Sequence, residues 1–363
     1  MTRPINLFEY AEIAKQNLEP MALDYYRSGA GDEITLRENR LAINRYRLRP
    51  KMLVDVSRRD LTTTILGQSL AIPIAIAPMA FQCLAHPEGE LATAEAAASS
   101  GVAMVLSTLS TKSLEAVATK KNNNPQWFQL YIHRDRALTQ ALVQRTEEAG
   151  YSALCLTVDA PMLGNRECDR RNQFTLPKTL ELANLVSMRD LVIPKTAEES
   201  GLFAYFTQQI DPSLTWKDLE WLQSITKLPV LVKGILRGDD GLKAYEYGAK
   251  GIIVSNHGGR QLDGAIATFD ALPEIVETVG DKIDILVDGG IRRGTDILKA
   301  LALGAKAVLV GRPILWGLAA EGSKGVAHVL ELLTEELDLA MALSGCASLK
   351  DIDSSWLTNY PNS

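Results

Sequence analysis

The sequence is sparing in cysteine, in basic charge and in long apolar runs, and each scarcity excludes something. Four cysteines, Cys83, Cys155, Cys168 and Cys346, are scattered through 363 residues. None stands at Cys-x-x-Cys spacing from another, which argues against a zinc ribbon or a dithiol motif, and no metal site is expected. So thin a supply suits a reducing compartment. Lys and Arg total 38 against 44 Asp and Glu, a formal net charge of −6. The chain therefore lacks the basic footprint of a nucleic-acid binder, and it has no Lys/Arg run that would address an anionic membrane surface. Residues 1–16 contain acidic side chains and no apolar core, so they do not read as a secretory signal. The most apolar stretch, Leu70 to Ala85, is broken by Pro73 and Pro78 and is too short to span a bilayer. Residues 359–363 are not a peroxisomal address. The expectation is a cytoplasmic protein that contacts neither membrane nor nucleic acid.

The chain is 46% hydrophobic and 23% charged, which is ordinary for a globular protein with a large core. Beyond residue 70 short apolar runs alternate with longer helical patterns, which predicts βα units around a parallel sheet. The expected strands are Ile72–Ala77, Ala103–Ser107, Trp127–Ile132, Ala153–Val158, Val230–Lys233, Gly251–Ser255, Ile283–Val287 and Ala307–Val310. The expected helices are Glu88–Ser99, Ser113–Lys120, Arg136–Ala149, Trp216–Ser224, Asp240–Tyr247, Asp270–Val279, Gly294–Leu303 and Ala319–Leu343. Three of them run into glycines, Gly150, Gly248 and Gly304, which tolerate the left-handed conformation that ends a helix. Eight such units predict an α/β fold of the (β/α)8 TIM-barrel type. An open doubly wound sheet has the same local pattern. Residues 1–70 read as an N-terminal helical extension, with helices at Leu7–Asn17 and Met21–Arg27, and 71–345 as the barrel. A long loop after strand four, 164–212, is expected to be a mobile lid at the active-site face, or else an excursion packed on the surface. With a tail at 346–363, the whole of 1–363 reads as one domain.

Strand C-termini face the active site of a barrel, so polar residues that close apolar strands there are informative. The chain has Gln129 and Tyr131 in WFQLY, Thr157 and Asp159 in LTVD, Lys233 in VLVKG, Ser255 and His257 in IIVSNHGGR, and Asp288 in ILVDGG. Any one could be a satisfied rim group; their recurrence strand after strand points to a site. The glycines of D-G-G-I-R-R-G (288–294) and V-G-R-P (310–313) can let a phosphate approach main-chain N–H groups, and Arg292 and Arg312 can add charge-assisted bonds. Lys233 ends a strand of valine and leucine, where a lone ammonium is costly. It therefore faces an anionic or electron-rich partner, or serves as an imine-forming nucleophile. His257 suits proton transfer near neutral pH, Arg260 suits a planar carboxylate, and Asp159 could support a charged His257 if the barrel brings them together.

These residues resemble the FMN-dependent α-hydroxy-acid oxidase and dehydrogenase family, which includes glycolate oxidase and lactate oxidase. The resemblance covers nearly the whole chain. It starts at E-Y-A-E-I-A-K-Q (9–16), D-Y-Y-R-S-G-A (24–30), L-T-T-T-I-L-G (61–67) and A-H-P-E-G-E (85–90). It runs on through F-Q-L-Y (128–131), L-T-V-D-A-P (156–161), S-N-H-G-G-R-Q-L-D (255–263), D-G-G-I-R-R-G-T-D (288–296), V-G-R-P and M-A-L-S-G-C (341–346). It implies an FMN barrel assembled as a homotetramer or homo-octamer. It implies flavin contacts from Ser107, Gln129, Thr157, Lys233, Ser255 and the main chain of Pro78, Met79 and Ala80. Asp288, Gly289, Gly290, Arg292, Gly311 and Arg312 would form the ribityl and phosphate site. Tyr25, Arg166 and Arg260 would clamp the substrate carboxylate, Tyr131 would bond the substrate oxygen, and His257 would be the base, supported by Asp159.

The implied reaction is oxidation of a small L-2-hydroxy acid to the 2-oxo acid, with O2 reduced to hydrogen peroxide. Where glycolate oxidases usually carry Thr, Trp and Val, this chain has Met79, Leu109 and Phe206. The added apolar surface and the space left by the missing indole favour a substrate methyl group, so L-lactate is expected over glycolate. A dehydrogenase that uses another acceptor is the alternative. No haem domain precedes the barrel, and Lys178, Glu181, Arg189, Asp190 and Lys195 interrupt the excursion, which disfavours membrane insertion. Two readings of other classes are a phosphate-binding lyase or isomerase that forms an imine at Lys233, and a flavin-binding scaffold without turnover.

Overall fold

A computed structural model describes residues 3–185 and 201–359. Eight parallel strands close into a barrel. They are β1 (Ile74–Ile76), β2 (Ala103–Leu106), β3 (Gln126–Leu130), β4 (Ala153–Thr157), β5 (Val230–Ile235), β6 (Gly251–Val254), β7 (Asp284–Val287) and β8 (Ala307–Val310). Closure comes from β8 pairing with β1, with Val308 opposite Ile74. The open doubly wound sheet is thereby excluded. The helices that follow the strands are α1 (Glu90–Ser100), α2 (Leu114–Ala118), α3 (Arg136–Glu148), α4 (Trp216–Ser224), α5 (Gly238–Glu246), α6 (Thr268–Val279), α7 (Gly294–Ala302) and α8 (Arg312–Ser344). Gly150, Gly248 and Gly304 all have positive φ, as the helix exits require.

Strand parity divides the core in two. Ile74, Ile76, Met104, Phe128, Leu154, Val232, Ile252 and Val308 point outward to the helices. The alternate residues Ala75, Ala103, Val105, Trp127, Ala153, Cys155, Leu231, Ile253, Leu286, Ala307 and Leu309 fill the barrel. Continuing that inward parity by one step reaches Ser107, Gln129, Thr157, Lys233, Ser255 and Asp288 at the strand C-termini. The polar residues singled out in the sequence thus point along the barrel axis because the residues two positions before them do.

The opposite mouth is plugged. A hairpin of Thr63–Ile65 and Gln68–Leu70 turns at Leu66 and Gly67, both with positive φ, and buries Ile65 and Leu70 against the interior cluster. Its polar groups are tied to the strand starts. Leu66 N donates to Asp284 Oδ2 at 2.6 Å and Ser152 Oγ donates to Gln68 Oε1 at 2.9 Å, while Lys306 pairs with Asp284.

Several elements depart from expectation. The N-terminal extension holds a third helix, Ile34–Arg45, and a strand, Tyr46–Leu48. That strand pairs antiparallel with Leu357–Asn359, so the described part of the expected tail is tied into a sheet, with Trp356 buried beside it. The last helix begins at Arg312 rather than Ala319 and breaks at Glu321 and Gly322, where the dihedrals leave the helical region. Among the described residues the excursion carries the helices Glu167–Arg171 and Gly201–Gln209. Asn184 fastens its near end by donating to Ser110 Oγ at 2.8 Å and accepting from Leu114 N at 2.8 Å. The His133 ring, 3.0 Å from the Tyr205 hydroxyl, fastens the far end. The described parts of the excursion pack down; the expected lid falls partly on residues 186–200, including Arg189, Asp190 and Lys195, which lie outside the described residues. No helix among the described residues is long and apolar enough to cross a membrane.

Candidate active site

A cavity opens at the C-terminal mouth of the barrel. His257 borders it from the loop after β6, held in the left-handed region at φ 58°. A non-glycine residue there is uncommon and marks a site the surrounding structure overrides. Its main-chain N donates to Ser255 Oγ at 3.0 Å, and its Nδ1 lies 2.8 Å from Asp159 Oδ1. Burial lowers the His257 pKa, against the opposing pull of Asp159. Burial pushes Asp159 up, but His257 and Lys233 outweigh it, so its carboxyl lies below the ordinary range. The pair therefore rests as a carboxylate beside a neutral imidazole, which leaves the other ring nitrogen free to accept a proton. Asp159 and Ser255 stand behind the cavity wall.

A second cluster lines the floor. Lys233 Nζ donates to Ser255 Oγ at 2.8 Å, Ser255 Oγ donates to Asp288 Oδ2 at 2.9 Å, and Lys233 lies 3.3 Å from that same oxygen. Burial would strip the Lys233 proton, but Asp288 and Asp159 more than compensate, and its pKa is raised. The ammonium stays charged, which does not suit an imine-forming nucleophile. Ser107 Oγ donates to Gln129 Oε1 at 3.4 Å, and Leu109 N donates to Ser107 Oγ at 3.1 Å. Among the described residues, Gln129 Nε2, Thr157 Oγ1 and Asp288 Oδ1 are buried without a hydrogen-bond partner. Native interiors seldom tolerate such groups, so three of them on one floor call for a polar ligand. A flavin ring, with its alternating carbonyl and N–H edge, fits that set.

The far end suits a phosphate. Gly289 and Gly290 have φ of 96° and 80°, and a Cβ on Gly290 would lie 2.3 Å from Asn39 O. Burial lowers Arg292 to about 10, with Arg40 adding to the effect, and holds Arg312 well below its ordinary value, with Arg260 adding to it. Neither pairs with a carboxylate among the described residues. Arg312 instead donates to the carbonyls of Tyr26, Gly258 and Ser28 at 2.9–3.1 Å, and Arg292 to that of Ile291 at 2.7 Å. An anion here would restore what burial takes away. Gly311, with no atom within 3.7 Å of a notional Cβ, leaves room beside them.

Two more guanidinium groups, those of Arg166 and Arg260, line the same cavity as His257. Arg260 Nη1 donates to Tyr25 O at 2.5 Å and Ser28 O at 2.9 Å, and its guanidinium carbon sits 4.8 Å from the Tyr25 ring centroid. Arg166 Nε donates to Arg260 O at 3.2 Å. Tyr25 is itself stacked on Phe174, centroids 4.4 Å apart. Burial pushes the Tyr131 phenol up, with Asp159 adding to the effect, so it remains a donor. Its ring meets Phe206 edge-on at 5.3 Å. Pro78, Met79, Ala80 and Leu109 complete the wall. Their loop is held by Tyr26, whose hydroxyl donates to Phe81 O at 2.7 Å, and by Phe81 N, which donates to Leu109 O at 3.1 Å.

Every expected site residue thus borders this cavity or, like Asp159 and Ser255, supports one that does. Sequence reasoning missed Leu202, Ile291, Gly258 and Leu315, which also line it, and Phe174, which props Tyr25. Leu202 and Phe174 lie on the excursion, where no strand parity exists to point at them.

Comparison with known proteins adds the family context. The model of a family described as FMN-dependent dehydrogenase matches residues 14–359. The chain is 66% identical to an L-lactate oxidase of Nostoc sp. strain PCC 7120 over 360 residues, covering 98% of this chain and 99% of that one. It is 52% identical to glycolate oxidase of Spinacia oleracea over 350 residues, covering 96% and 94%. A crystal structure of mandelate oxidase with (S)-4-hydroxymandelic acid superposes with a TM-score of 0.93 at 43% identity, covering 98% of each chain.

Proposed function

The chain belongs to the FMN-dependent dehydrogenase family, and from that premise we propose that it oxidises small L-2-hydroxy acids, L-lactate in preference to glycolate, with O2 as acceptor and hydrogen peroxide as product. It is an FMN enzyme. The observation that carries the reading is that His257, paired with Asp159, shares one cavity with Arg166 and Arg260. Ser107, Gln129, Thr157, Lys233, Ser255 and the main chain of residues 78–80 would hold the flavin ring. Asp288, Gly289, Gly290, Arg292, Gly311 and Arg312 would hold its ribityl and phosphate. Held there, the flavin would supply the two-electron redox chemistry that links the substrate to O2.

The side chains do the rest. Arg166, Arg260 and Tyr25 bind the substrate carboxylate, which fixes the α-carbon relative to His257. The Tyr131 hydroxyl donates to the substrate oxygen. The outward ring nitrogen of His257 takes the proton that leaves as the carbonyl forms, and Asp159 stabilises the resulting imidazolium. Lys233 contributes a fixed positive charge at the cofactor floor. Met79, Leu109 and Phe206 surround the substrate's small end, where burying a methyl group is worth roughly 0.8 kcal/mol per carbon. The Nostoc relative, named an L-lactate oxidase, supports that preference. We read residues 1–363 as one domain, working in the cytoplasm as a homotetramer or homo-octamer.

The test is an anaerobic titration of the purified holoenzyme with L-lactate, D-lactate and glycolate, followed at the flavin absorbance. Bleaching by L-lactate at the lowest concentration is expected, with glycolate weaker and D-lactate inert. A higher kcat/KM for glycolate than for L-lactate reverses the substrate assignment. A flavin spectrum that no 2-hydroxy acid bleaches returns the protein to the status of a scaffold.

A further inference from the structure

Asp169 is a buried carboxylate with both oxygens unpartnered among the described residues. It lies on the Glu167–Arg171 helix of the excursion and is 1% exposed. Among the described residues neither of its carboxylate oxygens accepts a hydrogen bond, from the helix's own amides or from anything else. It is therefore not a helix cap. Its nearest opposite charge is Arg166, with Nη1 3.9 Å from Asp169 Oδ2, and Arg166 is itself 5% exposed. Burial raises the Asp169 pKa, with Arg260 and then Arg166 pulling it back down and Asp24 adding to the rise. A buried carboxylate without hydrogen bonds costs stability unless it serves a charge nearby.

We propose that Asp169 is a positioning residue that weakens the cavity's hold on the substrate carboxylate, by giving Arg166 a resident counter-charge with which any incoming anion must compete. The inference rests on the reading of Arg166 and Arg260 as a carboxylate clamp. Substrate and 2-oxo product carry the same carboxylate, so an unopposed pair of buried guanidinium groups would grip both alike. Binding shared by substrate and product adds nothing to the chemical step and retards release. With Asp169 present, two cations face one internal anion, and one carboxylate neutralises the set. Without it, the same two cations repel each other in a buried site and draw any carboxylate more strongly.

The experiment compares the wild-type holoenzyme with Asp169→Asn and Asp169→Glu. The dissociation constant of pyruvate is measured by calorimetry and by perturbation of the flavin spectrum, together with KM and kcat for L-lactate. Asp169→Asn should bind pyruvate about tenfold more tightly, the scale expected for removing one charge at partly buried range. KM should fall in parallel, with kcat no higher than wild type. Asp169→Glu, which keeps the charge, should return the wild-type constant. Unchanged or weaker pyruvate binding in a folded, FMN-loaded Asn variant overturns the proposal. A merely structural role would lower thermal stability without tightening an anion. Should the Asn variant fail to fold, Asp169→Ser is judged by the same constant. Wild-type protein that neither binds pyruvate nor is reduced by any 2-hydroxy acid would instead defeat the clamp reading itself.

Discussion

The two mouths of the barrel are made from the same eight strands and treat polar atoms in opposite ways. At the N-terminal mouth Gln68, Ser152, Asp284 and Lys306 bond one another or the hairpin that seals it. At the C-terminal mouth Gln129 Nε2, Thr157 Oγ1, Asp159 Oδ2 and Asp288 Oδ1 are buried and unmatched among the described residues. One end is finished as a protein interior, and the other presents unmatched polar atoms at the cavity floor. At these two mouths, hydrogen bonding is left incomplete at the one where chemistry is done and completed at the other.

Substitutions at each mouth should therefore separate activity from stability. The largest effect is expected from His257→Gln at the open mouth, which should cut kcat by about 10²–10⁴-fold, the usual contribution of a general base. Its FMN content, read from absorbance, should match wild type; near-normal turnover would remove His257 from the role. At the sealed mouth, Leu70→Ala should cost about 2–4 kcal/mol in denaturant unfolding, as buried leucine truncations do, and leave KM for L-lactate unchanged. A large shift in KM there would mean that the two ends are coupled. Leu109→Trp should move the ratio of kcat/KM from L-lactate toward glycolate by roughly 10- to 200-fold, the range one methylene-sized change allows, in steady-state assays with both acids.

The smallest effect concerns pH. Burial depresses the His257 pKa, so the basic form persists to lower pH than for an ordinary imidazole. The acid limb of kcat/KM should accordingly lie below pH ~6.5, the unperturbed histidine value. Asp159→Asn removes a group that raises that pKa and should shift the limb further down while lowering kcat. A limb above the ordinary value would reverse the charge assignment of the pair.

Legibility in the sequence followed the same division. The barrel strands could be read because burial on both faces leaves uninterrupted apolar runs, and the site residues because they end those runs on the inward parity. The hairpin at residues 63–70 could not, since two three-residue strands with one apolar residue each carry no periodic signal. Helix Ile34–Arg45 starts at Glu33 in a left-handed conformation with no side-chain cap, so nothing announces it. The helix that begins at Arg312 reads from the sequence as beginning at Ala319, because Gly317 interrupts the pattern of its first turns. The pairing of Tyr46–Leu48 with Leu357–Asn359 is a tertiary fact that no local stretch encodes. The role of Asp169 was equally hidden, because i,i+3 spacing from Arg166 reads as an exposed helix pair until burial is known.

The seam between Ile74 and Val308 has a consequence for biogenesis. A nascent chain that has emerged only as far as β7 holds β1 with one edge unpaired, because its partner is still being synthesised. Such an edge recruits other strands. Chaperone protection of the half-made sheet on the ribosome, or a pause that delays it, should govern how much protein escapes aggregation in cells.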